Sequence, residues 1–284
     1  MYIEVNGIDM FFDVVGPQLA PDGDRLAQRR TLLVLHGGPG YDHLTLRPYF
    51  DRFADQYQVV YVDHRGCGRT HAPRDTWRLD QWADDIDAFC TALRIERPIV
   101  LGQSFGGMVA MHYAARHPQG PERLVLSSTA ARFLLDETVA FATRLGGAHA
   151  GQVARDFFST PTVDGYKTYA EVVLPLYNRN PGAPDASFRD WAIERPEVSA
   201  HFFAHEMMGM DLRPGLAAIT CPTLVLGGAE DPVTPPQCST DIADAIGGNA
   251  TLTIVPDAGH GVFRDDPDGA EDMLRAFFAG AASA

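Results

Sequence analysis

The sequence predicts an α/β fold, in which helices cover both faces of a doubly wound, mostly parallel sheet. Three observations lead to this prediction: short continuous apolar runs, segments of helical periodicity that alternate with them, and one interruption of about eighty residues. Continuous apolar runs are typical of strands that are buried on both faces. Their alternation with helices is the pattern of parallel strands joined by right-handed crossovers.

Short apolar runs predict the strands. The chain begins with a hairpin, because β-type runs at 3–5 and 10–15 flank Asn6-Gly7, a dipeptide suited to a two-residue turn. The strands that we assign to the buried sheet are 31–35, 59–62, 98–101, 124–126, 223–226 and 252–255.

Helical periodicity appears between these runs. Apolar side chains recur at steps of three or four over residues 79–93, so they share one face of a helix. They are Leu79, Trp82, Ile86, Phe89 and Leu93. A second helix is predicted at 105–117, with Pro118 as its stop signal, and a closing helix at 271–278.

The interruption divides the chain into two predicted parts. Residues 1–130 and 213–284 form the α/β core, and residues 131–212 form an inserted helical cap, with a loop rich in Pro and Gly at 180–184. Because the insertion joins two strands, we expect it to cover the C-terminal edge of the sheet, where open α/β folds bind ligands.

Charge and composition exclude several classes of partner. Lys and Arg number 23 against 37 Asp and Glu, and the resulting net charge of −14 repels nucleic acid and anionic membranes. The first residues do not resemble a secretory leader, no apolar run reaches about 18 residues, and the four cysteines lack a paired spacing. We therefore expect a soluble, cytoplasmic protein with reduced thiols.

The segment Gly102-Gln103-Ser104-Phe105-Gly106 follows a predicted strand and begins a predicted helix. This is the context of a G-x-S-x-G nucleophile elbow, in which a strained turn exposes the serine hydroxyl. Glycines on both sides relieve crowding where the backbone passes close to its neighbours. An ordinary glycine-rich turn is the alternative, but the flanking strand and helix favour Ser104 as a nucleophile.

A nucleophilic serine needs a base and an orienting acid, which follow this kind of elbow in the order Asp, then His. Asp231 and His260 each come shortly after a predicted strand, and loops at strand ends are where such side chains converge. Glu230 and Asp257 are the alternative acids. We predict that Ser104 is the nucleophile, His260 the general base and Asp231 the orienting acid.

Acyl transfer also needs N–H donors in place for the oxyanion of the tetrahedral intermediate. One is the backbone N–H of Phe105, and the other is expected from His36-Gly37-Gly38-Pro39-Gly40, which follows the strand 31–35. We call residues 36–40 the oxyanion loop. The alternative is an ordinary glycine- and proline-rich loop without this role. The presence of both this loop and the nucleophile elbow in one chain favours the catalytic role.

His201 and His205 lie four residues apart in the insertion with Glu206 beside them, a spacing that metal ligands also use. Such a pair can share a helix face, but the sequence lacks the H-E-x-x-H and H-x-x-E-H patterns. We therefore expect no metal. Acyl transfer at a serine requires no cofactor.

With these motifs the chain resembles the α/β-hydrolase superfamily, and more narrowly the proline iminopeptidase family. The resemblance is carried by residues 36–40, by Asp63-His64-Arg65-Gly66-Cys67-Gly68-Arg69-Thr70, by residues 102–107, and by the loops of Asp231 and His260. It implies an α/β-hydrolase fold and an aminopeptidase that releases an N-terminal residue, often proline, from small peptides.

The resemblance also implies roles for individual residues. Gly38 and Phe105 supply the oxyanion hole, Gly37 contacts the substrate, and Glu206 binds the free α-ammonium of the peptide. Some members carry a second carboxylate directly after the catalytic Asp, where this chain has Pro232, although Glu230 precedes the acid. This departure leaves two alternatives: an esterase, lactonase or amidase whose small-molecule substrate has no free amine, or a non-catalytic ligand-binding protein.

Overall fold

The structure is a computed structural model that describes residues 1–180 and 188–280. Most of the predicted Pro- and Gly-rich loop at 180–184 lies outside the described residues. Within them, the strands are β1 (Tyr2–Val5), β2 (Ile8–Val15), β3 (Leu19–Asp22), β4 (Arg25–Gln28), β5 (Thr31–Leu35), β6 (Gln58–Val62), β7 (Ile99–Gln103), β8 (Arg123–Ser127), β9 (Thr223–Gly228) and β10 (Ala250–Val255).

Eight of these strands form one sheet in the order β1-β2-β6-β5-β7-β8-β9-β10. The first two pairs, β1 with β2 and β2 with β6, are antiparallel, and every later pair is parallel. The N-terminal hairpin is therefore an antiparallel edge on a parallel sheet. The strand order changes direction between β5 and β7, so the carboxyl ends of these two strands border a crevice where ligands bind in such folds.

The central strands are apolar throughout because both of their faces are covered. All five residues of β5 are buried. Leu33 and Leu35 pack in one hydrophobic cluster with Trp82, while Leu32 and Val34 pack in the cluster on the opposite face with Phe50. Alternate side chains thus point to opposite faces, as strand geometry requires.

The helices lie around this sheet and confirm the predicted α/β alternation. They are α1 (Leu79–Leu93), α2 (Phe105–Arg116), α3 (Leu135–Ser159), α4 (Val163–Val172), α5 (Pro196–His205), α6 (Arg213–Leu216), α7 (Pro236–Ile246), α8 (Val262–Asp265) and α9 (Pro267–Ala279). Short 3-10 helices join them at His43–Leu46, Tyr49–Asp55, Arg74–Thr76, Leu174–Tyr177, Phe188–Trp191 and Met207–Gly209. None of the described helices is both long and apolar enough to cross a membrane.

One part of the fold has no counterpart in the sequence prediction. Strands β3 and β4 form a two-stranded hairpin whose residues are exposed or half-buried. Such a hairpin buries no apolar face, so it leaves no alternation of apolar and polar residues in the sequence.

Between β8 and β9 the chain forms the helices α3, α4 and α5, which have a hydrophobic cluster of their own around Phe157 and Phe158. The two ends of this insertion meet: Arg132 and Asp211 form an antiparallel bridge, and Leu212 N–H donates to the Ala131 carbonyl at 2.8 Å. We propose on this basis that residues 131–212 are a cap over the carboxyl edge of the sheet.

Candidate active site

Ser104 lies at the turn between β7 and α2 in a strained backbone conformation. Its φ of 56° and ψ of −121° are rare for a residue with a side chain and persist only where the surroundings enforce them. Ser104 N–H donates to the Ser127 carbonyl at 2.9 Å, and the Thr129 hydroxyl donates to the Ser104 carbonyl at 2.7 Å. Both bonds hold the turn so that the serine lines a cavity at the strand end.

The two glycines of the elbow are required by close backbone contacts. A Cβ on Gly102 would collide with the carbonyl oxygen of Gly106, and a Cβ on Gly106 would collide with the carbonyl oxygen of Leu35 in β5. The elbow therefore packs directly on the neighbouring strand. This contact is the steric reason for the G-x-S-x-G pattern.

Asp231 follows β9 and His260 follows β10, and the structure brings their side chains together. His260 Nδ1 lies 2.8 Å from Asp231 Oδ2, and the two residues are 5% and 0% exposed. An ionised carboxylate only accepts hydrogen bonds, so Nδ1 carries the hydrogen and Nε2 is left as the basic nitrogen. His260 and Ser104 line the same cavity.

The Asp231 carboxylate is hydrogen-bonded on both oxygens. Oδ1 accepts from the N–H groups of Val233 at 2.8 Å and Thr234 at 2.9 Å, and Oδ2 accepts from the Thr234 hydroxyl at 2.7 Å. With the bond from His260, four donors compensate for the loss of water around this buried charge. The carboxylate is thereby held in one orientation toward the imidazole.

The oxyanion loop lies beside the elbow. Gly38 has a φ of +123°, which favours glycine, and lines the cavity together with Phe105. The Phe105 N–H is in the first turn of α2, where the helix itself offers no acceptor. Gly37 also lines the cavity, and a Cβ there would lie 2.8 Å from Gln103 Oε1 and 3.2 Å from Ser104 Cβ. Its missing side chain lets the loop approach the nucleophile.

Two buried histidines support this loop. His36 Nδ1 lies 2.7 Å from the Gly37 carbonyl, and His36 Nε2 accepts from His64 N–H at 3.1 Å. These partners define a neutral imidazole with its hydrogen on Nδ1. Burial lowers the pKa of His36, and burial together with the nearby His36 lowers the pKa of His64 well below its ordinary value. Both rings are therefore neutral at pH 7.

Asp42, His43 and Asp63 are the described residues whose ligand atoms are close enough together to hold a metal. Their acceptor atoms already have protein donors. Asp63 Oδ1 lies 2.7 Å from His43 Nδ1, and Asp63 Oδ2 accepts from Arg69 N–H at 2.9 Å. Asp42 Oδ2 accepts from the Arg69 guanidinium at 2.8 Å. The Arg69 cation therefore already compensates the charge of these two carboxylates.

His201, one of the two histidines of the insertion that lie four residues apart, is also engaged in hydrogen bonds. Its Nε2 lies 3.1 Å from the Trp77 carbonyl, and its Nδ1 accepts from Arg74 at 3.3 Å.

The cavity in front of Ser104 has a volume of about 860 Å³. Residues of the insertion line one part of the cavity and residues of the core line the rest, and both contribute aromatic side chains. Its aromatic lining comprises Tyr41, Tyr49, Phe50, Phe105, Tyr166, Tyr169, Tyr177, Phe202, Phe203 and Phe263. The space accommodates a small, largely apolar molecule.

Glu206 does not lie where the resemblance predicts. It is absent from the cavity lining, and its Oε2 accepts from Leu79 N–H at 3.0 Å, at the first residue of α1. The physical reason is that α1 begins after Arg78, whose side chain makes no capping hydrogen bond. Glu206 supplies the missing acceptor from the cap. The structure thus places Glu206 at the start of α1, and its ammonium-binding role stays a prediction of the resemblance.

Three polar side chains of this site were not predicted from the sequence. Thr234 orients Asp231, Ser199 of the cap donates to the Pro39 carbonyl, and Tyr177 packs its ring against His260 with 4.9 Å between ring centroids. A hydroxyl residue three positions after Asp231 is a recognisable turn signal for Thr234. No comparable signal marks the other two, because their positions depend on how the cap folds.

A parallel sheet with a serine at the sharp turn after β7, and with an Asp and a His that pair from the loops after β9 and β10, is the arrangement of the α/β hydrolases. The profile of the family described as alpha/beta hydrolase fold matches residues 30–267. The chain therefore belongs to the alpha/beta hydrolase family.

Two relatives are similar to the chain in sequence, and one solved structure shares its fold. The chain is 28% identical to a protein of Bacillus subtilis (strain 168) named AB hydrolase superfamily protein YisY, over 87% of this chain and 91% of that protein. It is 28% identical to a proline iminopeptidase of Lactiplantibacillus plantarum, over 96% and 98% of the two chains. The enol-lactonase of Burkholderia xenovorans LB400 superposes with a TM-score of 0.76 at 24% identity, covering 98% and 100%.

Proposed function

We propose that the protein is a serine hydrolase that cleaves an ester or lactone of a small, largely apolar molecule without a free amine. The observation that carries this proposal is the 2.8 Å contact between Asp231 and His260 beside a serine in a strained elbow. A buried Asp that holds an imidazole with its basic nitrogen free is the arrangement that activates a serine hydroxyl.

The reaction proceeds in two steps. His260 accepts the proton of Ser104 as Oγ bonds to the substrate carbonyl carbon, while the N–H groups of Gly38 and Phe105 stabilise the oxyanion. The bond to the leaving oxygen then breaks as His260 returns the proton to it, and an acyl-enzyme is left. Water attacks this ester with His260 again as base, which releases the acid and restores Ser104.

The charges around the cavity favour a substrate without a free amine. Among the described residues that line it, Asp268 is the one carboxylate, and its side chain is exposed. Arg47 and Arg52 line the same cavity, and their guanidinium groups pair with Asp51 at 2.8 Å and with Glu271 at 2.7 Å. These carboxylates are already engaged, so a substrate ammonium would lose water in the cavity without a buried carboxylate to pair with, which is unfavourable.

Replacement of the nucleophile tests the proposal. A fluorophosphonate probe should label the wild type and not Ser104→Ala, and turnover of p-nitrophenyl butanoate should fall by about four orders of magnitude or more. Ser239→Ala is a matched control, because Ser239 is a buried serine of α7 outside the cavity. Hydrolysis that survives in Ser104→Ala but not in a heat-denatured sample contradicts the proposal.

Release of an N-terminal proline is the second candidate, favoured by the 28% identity to the Lactiplantibacillus plantarum enzyme over 96% of this chain. Proline p-nitroanilide and p-nitrophenyl butanoate separate the two candidates. Our proposal expects turnover of the ester far above that of the anilide, with neither changed by Glu206→Gln. Preferential turnover of the anilide, with a KM that rises in Glu206→Gln, supports the aminopeptidase instead.

A further inference from the structure

Two tyrosine hydroxyls of the cap form a partly buried pair beside the cavity. The hydroxyl oxygens of Tyr169 in α4 and Tyr177, at the end of the 3-10 helix Leu174–Tyr177, lie 2.8 Å apart. Both residues line the cavity, and Tyr169 is 3% exposed. Neither of these side chains takes part in the acyl transfer described above.

The pair lies on the His260 side of the cavity. The Tyr177 ring meets the His260 ring edge to face at 4.9 Å, and the Tyr177 carbonyl accepts from His260 N–H at 2.6 Å. The position of Tyr169 is determined by packing in the hydrophobic cluster around Phe157 and Phe158, where the ring centroids of Tyr169 and Phe157 lie 4.9 Å apart. The hydroxyl pair is therefore held at a defined distance from the base.

The hydrogens of this pair are not all used. Each phenol carries one hydrogen, and the bond between the two oxygens consumes one of them. Among the residues that the structure describes, neither hydroxyl has a further hydrogen-bond partner. One O–H thus remains available to donate to an acceptor on a molecule bound in the cavity.

Both phenols remain donors over the working pH range. Burial raises the pKa of Tyr169, and burial together with Tyr169 itself raises the pKa of Tyr177 well above the ordinary value of a phenol. A phenolate would lack the donor function, and its formation is disfavoured here. The pair can therefore donate one hydrogen bond to an acceptor group of a bound molecule.

We infer that the hydroxyl pair of Tyr169 and Tyr177 binds an acceptor oxygen on the leaving group of the substrate, such as an ether, hydroxyl or carbonyl oxygen. His260 must reach the leaving oxygen to return its proton, so the part of the substrate that lies against Tyr177 is the leaving group. This inference rests on the proposed hydrolase function. It narrows the substrate class to esters of an oxygen-bearing alcohol.

Two esters of equal length test the inference. 2-Methoxyethyl butanoate and n-butyl butanoate share the acyl group and differ by one oxygen in place of a methylene in the alcohol. The measurement is the ratio of kcat/KM for the ether ester to that for the alkyl ester, followed by acid release at constant pH. A ratio within one enzyme variant cancels losses that affect both esters equally.

The double variant Tyr169→Phe/Tyr177→Phe should lower this ratio about fivefold relative to the wild type, the range of one neutral hydrogen bond. Tyr166→Phe is the matched control, because its hydroxyl also lies in the cavity but donates to the Tyr41 hydroxyl at 2.7 Å. It should keep the wild-type ratio. If the double variant does not fold, at least one single variant must lower the ratio.

An unchanged ratio in the folded double variant, or in both single variants, overturns the inference. The inference is also overturned if the double variant lowers the ratio of kcat/KM for 1-butyl 3-methoxypropanoate to that for 1-butyl pentanoate. In this pair of esters the ether oxygen lies on the acyl side. Failure of the proposed function looks different: hydrolysis of both butanoates would survive Ser104→Ala.

Discussion

Ser199 of the cap donates a hydrogen bond to the carbonyl oxygen of Pro39 in the oxyanion loop. The same cap segment makes two further bonds to this region: Arg195 N–H donates to the Gly40 carbonyl at 2.6 Å, and Ile193 N–H donates to Asp42 Oδ2 at 3.1 Å. A Cβ on Gly40 would lie 2.6 Å from Ser199 Oγ, so the contact is close. The cap therefore fixes the loop that presents the Gly38 N–H.

Ser199→Ala should lower kcat for p-nitrophenyl butanoate by about fivefold to tenfold and leave KM within twofold. The loop loses a bond that acts on the oxyanion donor, and such donors act in the transition state rather than in substrate binding. Steady-state kinetics with Ser239→Ala as control check this, since that serine is buried without a hydrogen-bond partner among the described residues. A rise in KM at constant kcat is the contrary result.

Thr234→Val should lower kcat by about tenfold, with the fold retained. The substitution preserves the shape of the side chain but removes the donor to Asp231 Oδ2 at 2.7 Å, and one hydrogen bond to a charged group is worth about 1.5 kcal/mol or more. Thr234→Ser restores the hydroxyl and should recover most of the activity. If valine and serine variants are equally slow, Thr234 acts through packing and not through its hydroxyl.

The positions of Ser104, Asp231 and His260 could be predicted because each follows a strand with a readable apolar pattern. Parallel strands bring their carboxyl ends to one edge, so residues far apart in the sequence converge there. Glu206 is placed at the substrate by the family resemblance and not by a strand pattern. In the structure its carboxylate accepts from Leu79 N–H, at the start of a helix that lacks its own capping side chain.

The Tyr169–Tyr177 pair and the Ser199 contact could not be predicted for a related reason. Both depend on how the cap helices pack on one another and on the core, which periodicity in a single segment does not encode. Local pattern identifies the apolar face of α4, but the partner of a hydroxyl on that face is set by tertiary structure.

The buried histidines predict a loss of stability on mild acidification. Burial lowers the pKa values of His36 and His64 below those of the unfolded chain, so the unfolded state takes up protons that the folded state excludes. The free energy of unfolding therefore falls as pH drops through about 6.5. A fully excluded proton contributes about 1.4 kcal/mol between pH 7.5 and 5.5.

In His64→Phe the free energy of unfolding should fall by about 1.4 kcal/mol less between pH 7.5 and 5.5 than in the wild type. His64 Nε2 has no hydrogen-bond partner among the described residues, and its ring packs against Phe105 at 5.4 Å, so a phenyl ring suits the site. Urea unfolding at pH 7.5 and 5.5 gives the comparison. His149→Phe removes an exposed imidazole of α3 and should keep the wild-type slope. If the free energy of unfolding depends equally on pH in the wild type, His64→Phe and His149→Phe, the lowered pKa of His64 is contradicted.

Glu206→Ala should lower the free energy of unfolding by about 1 kcal/mol, which is the usual contribution of a helix cap. The stability of Glu206→Gln should lie between that of the wild type and that of Glu206→Ala. The glutamine keeps an acceptor for Leu79 N–H but loses the charge that favours a helix N-terminus. Glu197→Ala, an exposed carboxylate of α5, is the control for charge removal in the cap. Urea unfolding measures the stability, and turnover of p-nitrophenyl butanoate should stay unchanged. An unaltered stability in Glu206→Ala, with a raised KM for substrates that carry an amine, would return Glu206 to substrate binding.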